Sequence, residues 1–164
     1  MAGVPDPKLI KTVKSMTPAT VAVAMQEAEG WRPEKGDELD GAVIGVKLAE
    51  STLNEGRWYP IVFLAQMDDS MEGGYRFVAW HASSAVSYNE VVGQQPERGD
   101  WLYVKSMGPK EGWEGPKGYK PPVLFAVAVI KESGVPADPY AALKKMNAPA
   151  APVDQSKFQD EPPF

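Results

Sequence analysis

The chain has 164 residues, 43% of them hydrophobic, no cysteine, and a formal net charge of −5 from 17 basic and 22 acidic side chains. That length suits one domain of ordinary size plus tails, with a core that needs no staples. The missing cysteines exclude disulfides and thiolate metal sites, no N-terminal apolar run reads as a signal peptide or membrane span, and the acidic balance lacks the basic signature usual in nucleic-acid-binding domains.

A cytoplasmic protein with no membrane association is the expectation. Residues 1–16 carry Pro5, Pro7, Lys8, Lys11 and Lys14 among few large apolar side chains and read as a flexible, mildly basic arm. Thr17 before Pro18 is an N-cap and first-turn pair. Val21, Met25 and Ala28 then recur at helical spacing until Gly30, which predicts a short amphipathic helix.

From Glu34 onward the pattern turns to strands. Residues 39–48 are β-rich but interrupted by Gly41 and Gly45, as in a long first strand that bends. Residues 51–57 form a loop, 58–67 a second strand with Pro60 near its start, 68–74 an acidic, glycine-rich turn, and 75–81 a third strand. Residues 85–93 read as one short helix, with Ser87 and Glu90 at capping-box spacing.

A turn over 94–100 leads into the fourth strand, 100–107. Leu102 and Val104 project to one side there, and Trp101, Tyr103 and Lys105 to the other. A loop over 108–122 holds Lys110, Trp113, Lys117, Tyr119 and Lys120, and 123–130 is a fifth strand, so continuously apolar that it reads as central. Beyond Ser133 the folded pattern ends. One or two helical turns fit 138–146, and 147–153 is an Ala/Pro-rich linker that cannot bury a core.

Three strands, a helix and two strands separated by a long loop is the order of the OB-fold, a five-stranded Greek-key barrel whose face and loops bind oligonucleotides or oligosaccharides. The predicted class is therefore all-β, an OB-like five-stranded barrel over 17–132 with short helices, preceded by the 1–16 arm and followed by a disordered tail over 133–164. An SH3-like barrel or a small sandwich also suits five short strands. The helix between the third and fourth strands favours the OB order.

Aromatics interleaved with cations suit single-stranded nucleic acid, whose bases stack and whose phosphates are anionic. The candidate DNA-binding residues are Trp101, Tyr103 and Lys105 on the fourth strand and Lys110, Trp113, Lys117, Tyr119 and Lys120 in the following loop. Arg57, Trp58 and Tyr59 at the start of the second strand, and Arg76 and Trp80 on the third, join them as a second tier.

The chain ends Asp160-Glu161-Pro162-Pro163-Phe164, which places two carboxylates, an aromatic ring and the terminal carboxylate together after a Pro/Ala-rich linker. A partner pocket of Arg or Lys around an apolar hole would hold such a tip. In this ending the chain resembles the single-stranded DNA-binding proteins of bacteria and their phages, which finish in a flexible linker and an Asp-Asp-x-Pro-Phe tip. The resemblance implies single-stranded DNA as ligand, roles in replication, recombination and repair, and recruitment of partner proteins by Asp160, Glu161, Pro162, Pro163 and Phe164 rather than DNA contact by them. The N-terminal strand pattern of the bacterial members is not found and a helix precedes the barrel, so the likeness is to a diverged phage member, for which homo-oligomerisation stays open and the host cytoplasm is the setting.

With His81 the single histidine and no cysteine, neither a Cys/His nucleophilic pair nor a multi-histidine metal site is available to the chain. No catalysis, metal or cofactor is expected. The alternative expectation is an OB-like protein-interaction module of a phage with no nucleic-acid role, because exposed Trp, Tyr and Arg suit protein interfaces as well as bases.

Overall fold

The computed structural model describes residues 4–52, 56–115 and 123–131. Two helices come first. In α1 (Pro7–Lys14), Asp6 accepts the Lys8 backbone N–H at 2.9 Å as N-cap, Pro7 occupies the first helical position, and Leu9, Ile10 and Val13 are buried. Residues 7–14 are thus not part of a free arm, since three apolar side chains on one helix face give them a surface to bury. In α2 (Pro18–Glu27), Thr17 caps the Thr20 N–H at 3.2 Å, and Val21 and Ala24 are buried.

A two-residue strand, β1 (Glu29–Gly30), is followed by β2 (Glu38–Glu50), β3 (Trp58–Met67), β4 (Tyr75–His81), α3 (Ala85–Gln94), β5 (Trp101–Pro109) and β6 (Val123–Ile130). The cap of α3 is Ser84, which accepts the Ser87 N–H at 3.1 Å. Ser87 lies inside the first turn, where its hydroxyl reaches back to the Ser84 carbonyl, so the expected Ser87/Glu90 capping box is not formed.

The strands make one sheet in the order β1-β4-β3-β2-β5-β6. β2 is the long bent strand expected: residues 38–42 pair with β5 and 42–50 with β3, with a bulge between Val43 and Gly45. At Gly41 the bend brings the Ala65 carbonyl so near that a Cβ would sit 2.3 Å from its oxygen, which only glycine tolerates. All strand pairs are antiparallel except β1 with β4.

The connectivity of β2 to β6 is that of an OB-fold, but among the described residues no ladder joins β4 to β6, so the sheet is open. β6 is therefore an edge strand and not the central one its composition predicted. Its Phe125 ring instead meets Trp80 at 5.8 Å and Trp31 at 6.3 Å across the seam. Gln94 on α3 also stands in for a neighbouring strand: its side-chain amide donates to the Val127 carbonyl at 3.0 Å and accepts the Val129 N–H at 3.1 Å. Lys131 closes the end of β6 by an ion pair with the fully buried Asp100 at 2.9 Å.

Two cores result, one on each face. The inner face buries Leu39, Val43, Leu64, Trp80, Leu102 and Val104 with Val91 of α3. On the outer face, Ala42, Ile44, Phe63, Ala65, Ala79 and Trp101 are covered by α1 and α2. No helix among the described residues is long and apolar enough to cross a membrane.

Candidate nucleic-acid interface

The two helices decide which part of the outer face is open. Trp101 shares that face with Tyr103 and Lys105, as its alternation predicts, but it is only 3% exposed beneath α1 and α2. Trp80 is 2% exposed in the inner core. Both were expected on a binding surface, and both are packing residues instead, because a large indole is the side chain that best fills a junction between layers.

At one end of the face, beyond the helices, Tyr59 and Ile61 of β3, His81 of β4 and Lys47 of β2 lie together, with Ile61 paired to both Lys47 and His81 in the ladders. Tyr59 Oη is 3.0 Å from His81 Nδ1, and the two rings are 5.8 Å apart at 44°. Lys47 Nζ stands 6.0 Å from the centre of the Phe63 ring. Partial desolvation pulls the His81 imidazole below its ordinary pKa and so favours its neutral form. The paired Tyr59 phenol and His81 imidazole offer π-faces for bases, and the exposed Lys47, across Ile61 from His81, offers a cation for a phosphate.

Arg57 and Trp58 are half-buried at the rim of this patch, and strand alternation turns Trp58 to the face opposite Tyr59.

At the other end of the face lie Tyr103 and Lys105, opposite Asp40 and Glu38 respectively in the β2 ladder. The Tyr103 phenol is pushed above its ordinary pKa by desolvation, by a hydrogen bond to Glu38 and by the charges of Glu38 and Asp40. A phosphate approaching Tyr103 meets two carboxylates. Lys110 is exposed and Trp113 half-buried in the loop after β5, where Glu111 reaches Lys35 at 3.8 Å.

Arg76 is committed elsewhere. Its Nε and Nη2 donate to Gln66 Oε1 at 3.0 and 2.9 Å, and Asp68 and Glu29 stand at 3.9 and 4.0 Å. Asp68 is held below the usual carboxylate range by the Ser70 hydroxyl, the Ser70 backbone N–H and Arg76. The cleft beside it, about 380 Å³, is lined by Glu27, Glu29, Asp68 and Glu72 against the single cation Arg76, with Tyr75 and Phe77, so the carboxylates outnumber the cation and disfavour phosphate. No group of three or more His, Asp or Glu side chains converges as a metal site among the described residues.

Lys117, Tyr119 and Lys120, and the tip residues Asp160, Glu161, Pro162, Pro163 and Phe164, lie outside the described residues, as does the tail expected over 133–164. Lys47 and His81 are not among the binding candidates that the sequence offers. The usable signal was alternation: Tyr59, Ile61 and Phe63 share a face, and an antiparallel hairpin turning at 68–74 brings the end of β4 back beside the start of β3. Comparison of the chain with protein-family models, curated proteins and solved structures finds no match.

Proposed function

We propose that the chain binds single-stranded DNA with little sequence preference, and that its acidic Pro-Phe tip recruits replication, recombination and repair proteins. The observation that supports this most is the Tyr59–His81 pair, with Lys47 across Ile61 from it, at the end of the outer face that the helices leave open in a sheet with OB connectivity. Bases stack on the Tyr59 and His81 rings, every base having a π-face, and Lys47 meets the backbone. Lys110 and Trp113, in the loop after β5 at the other end of the face, offer a separate cation and ring. The role is one of binding and protection without turnover, in the host cytoplasm if the chain is phage-encoded.

A titration of fluorescein-labelled oligo-dT at low salt, followed by anisotropy, tests the reading. A saturable rise that weakens linearly in log K against log salt is expected, and no rise would sink it. Removing residues 160–164 leaves the affinity intact or slightly improved, since an anionic tip competes for the same cations. A clear loss of affinity on that deletion contradicts a recruiting role.

A second reading, a protein-interaction module, is favoured by Met67, Met71 and Met107, which are 50%, 48% and 47% exposed. Salt separates the two, because a mainly apolar protein contact does not follow the linear dependence.

A further inference from the structure

The solvent side of α1 is a run of cations. Lys8, Lys11 and Lys14 are all exposed and rise about 4.5 Å apart along the axis, a slanted stripe on the helix. The loop before β5 adds another: the Lys14 stem lies across Gly99, where a Cβ would come within 2.5 Å of its Cε, and the neighbouring Arg98 donates to the Met16 carbonyl at 3.3 Å. The acids nearby in sequence are withdrawn from this surface. Asp100 is fully buried against Lys131, Glu97 is 8% exposed, and Asp6 is engaged as the cap of α1. A chain of net charge −5 thus presents four clustered positive side chains.

We infer that Lys8, Lys11 and Lys14 on α1, with the adjoining Arg98, form a second contact surface that takes the phosphate backbone of a nucleic acid. Charge complementarity names a polyanion, and burial excludes the other common ligand of a basic amphipathic helix. Insertion into a lipid surface needs a free apolar face. The apolar face of α1, Leu9, Ile10 and Val13, is 3%, 8% and 0% exposed in the core of the domain. Helix α1 itself carries no aromatic side chain, so the contact it offers is to phosphates and is indifferent to base identity. The inference takes its ligand from the single-strand reading above but uses none of the same residues.

The test compares the full-length chain with a Lys8→Gln, Lys11→Gln, Arg98→Gln variant and with a charge-keeping Lys8→Arg, Lys11→Arg, Arg98→Lys variant. Lys14 is left alone because its stem packs on Gly99. Each is titrated with oligo-dT and with inorganic polyphosphate across a salt series. Loss of three phosphate contacts lowers the slope of log K against log salt by about 2 for the neutralised variant, at ~0.7 per contact, and leaves it unchanged for the charge-keeping one. An unchanged oligo-dT slope in the neutralised variant overturns the inference while the single-strand reading stands. Polyphosphate binding that depends on these residues, without any oligo-dT binding, supports phosphate contact here and removes the single-strand reading. Binding of the wild-type chain to phosphatidylserine-containing vesicles, lost in the neutralised variant, overturns the inference in favour of a membrane surface.

Discussion

Tyr59 Oη lies 3.0 Å from His81 Nδ1 and ties β3 to β4 at the open end of the outer face. Because partial desolvation holds the folded-state pKa of the surface-reaching His81 below its ordinary 6.5, the unfolded chain takes up a proton first as the pH falls. The contribution of neutral His81 to stability is complete above about pH 6.5 and is lost on the way down to the lower, folded-state value. Urea unfolding at about pH 7.5 and about pH 5.5 measures it: the midpoint falls further for the wild type than for His81→Gln, and equal falls contradict the assignment.

Gln94 completes the edge of β6 with a side chain. Replacing it by alanine removes its bonds to the Val127 carbonyl and the Val129 N–H, at about 0.5–1.5 kcal/mol each. The expected loss is about 1–3 kcal/mol of unfolding free energy, with faster amide exchange at Val129. Unaltered exchange at that amide would show that the seam does not depend on Gln94.

Trp101→Ala acts on stability. The indole fills the junction of α1, α2 and the sheet, so its truncation costs about 3–5 kcal/mol in denaturant unfolding, while DNA affinity per folded molecule is unchanged. A variant that keeps its stability but loses affinity would return Trp101 to the binding surface.

Much of the fold could be read from local chemistry. Thr17-Pro18 marked the start of α2, and Gly41 and Gly45 marked the bend of β2. Alternation on β5 correctly put Trp101, Tyr103 and Lys105 on one face. What alternation cannot supply is the layer that covers a face. Leu9, Ile10 and Val13 fall within a short lysine-rich stretch whose apolar stripe is three residues wide, and that stripe becomes visible only when α1 is seen to lie over Ala42 and Trp101. Likewise, eight apolar residues in β6 are as compatible with an edge closed by Phe125, Trp31 and Gln94 as with a central strand. His81 and Lys47 meet Tyr59 through strand register, a long-range property that no window of sequence around either residue contains.

The central claim is that bases stack on the Tyr59–His81 face. Its most direct measurement is oligo-dT affinity for Tyr59→Leu, which keeps apolar bulk and removes the π-face, at several salt concentrations. Stacking is worth ~1–3 kcal/mol per base, so the account predicts a loss of about tenfold or more at every salt concentration, with the slope of log K against log salt unchanged. An affinity equal to that of the wild type would contradict it.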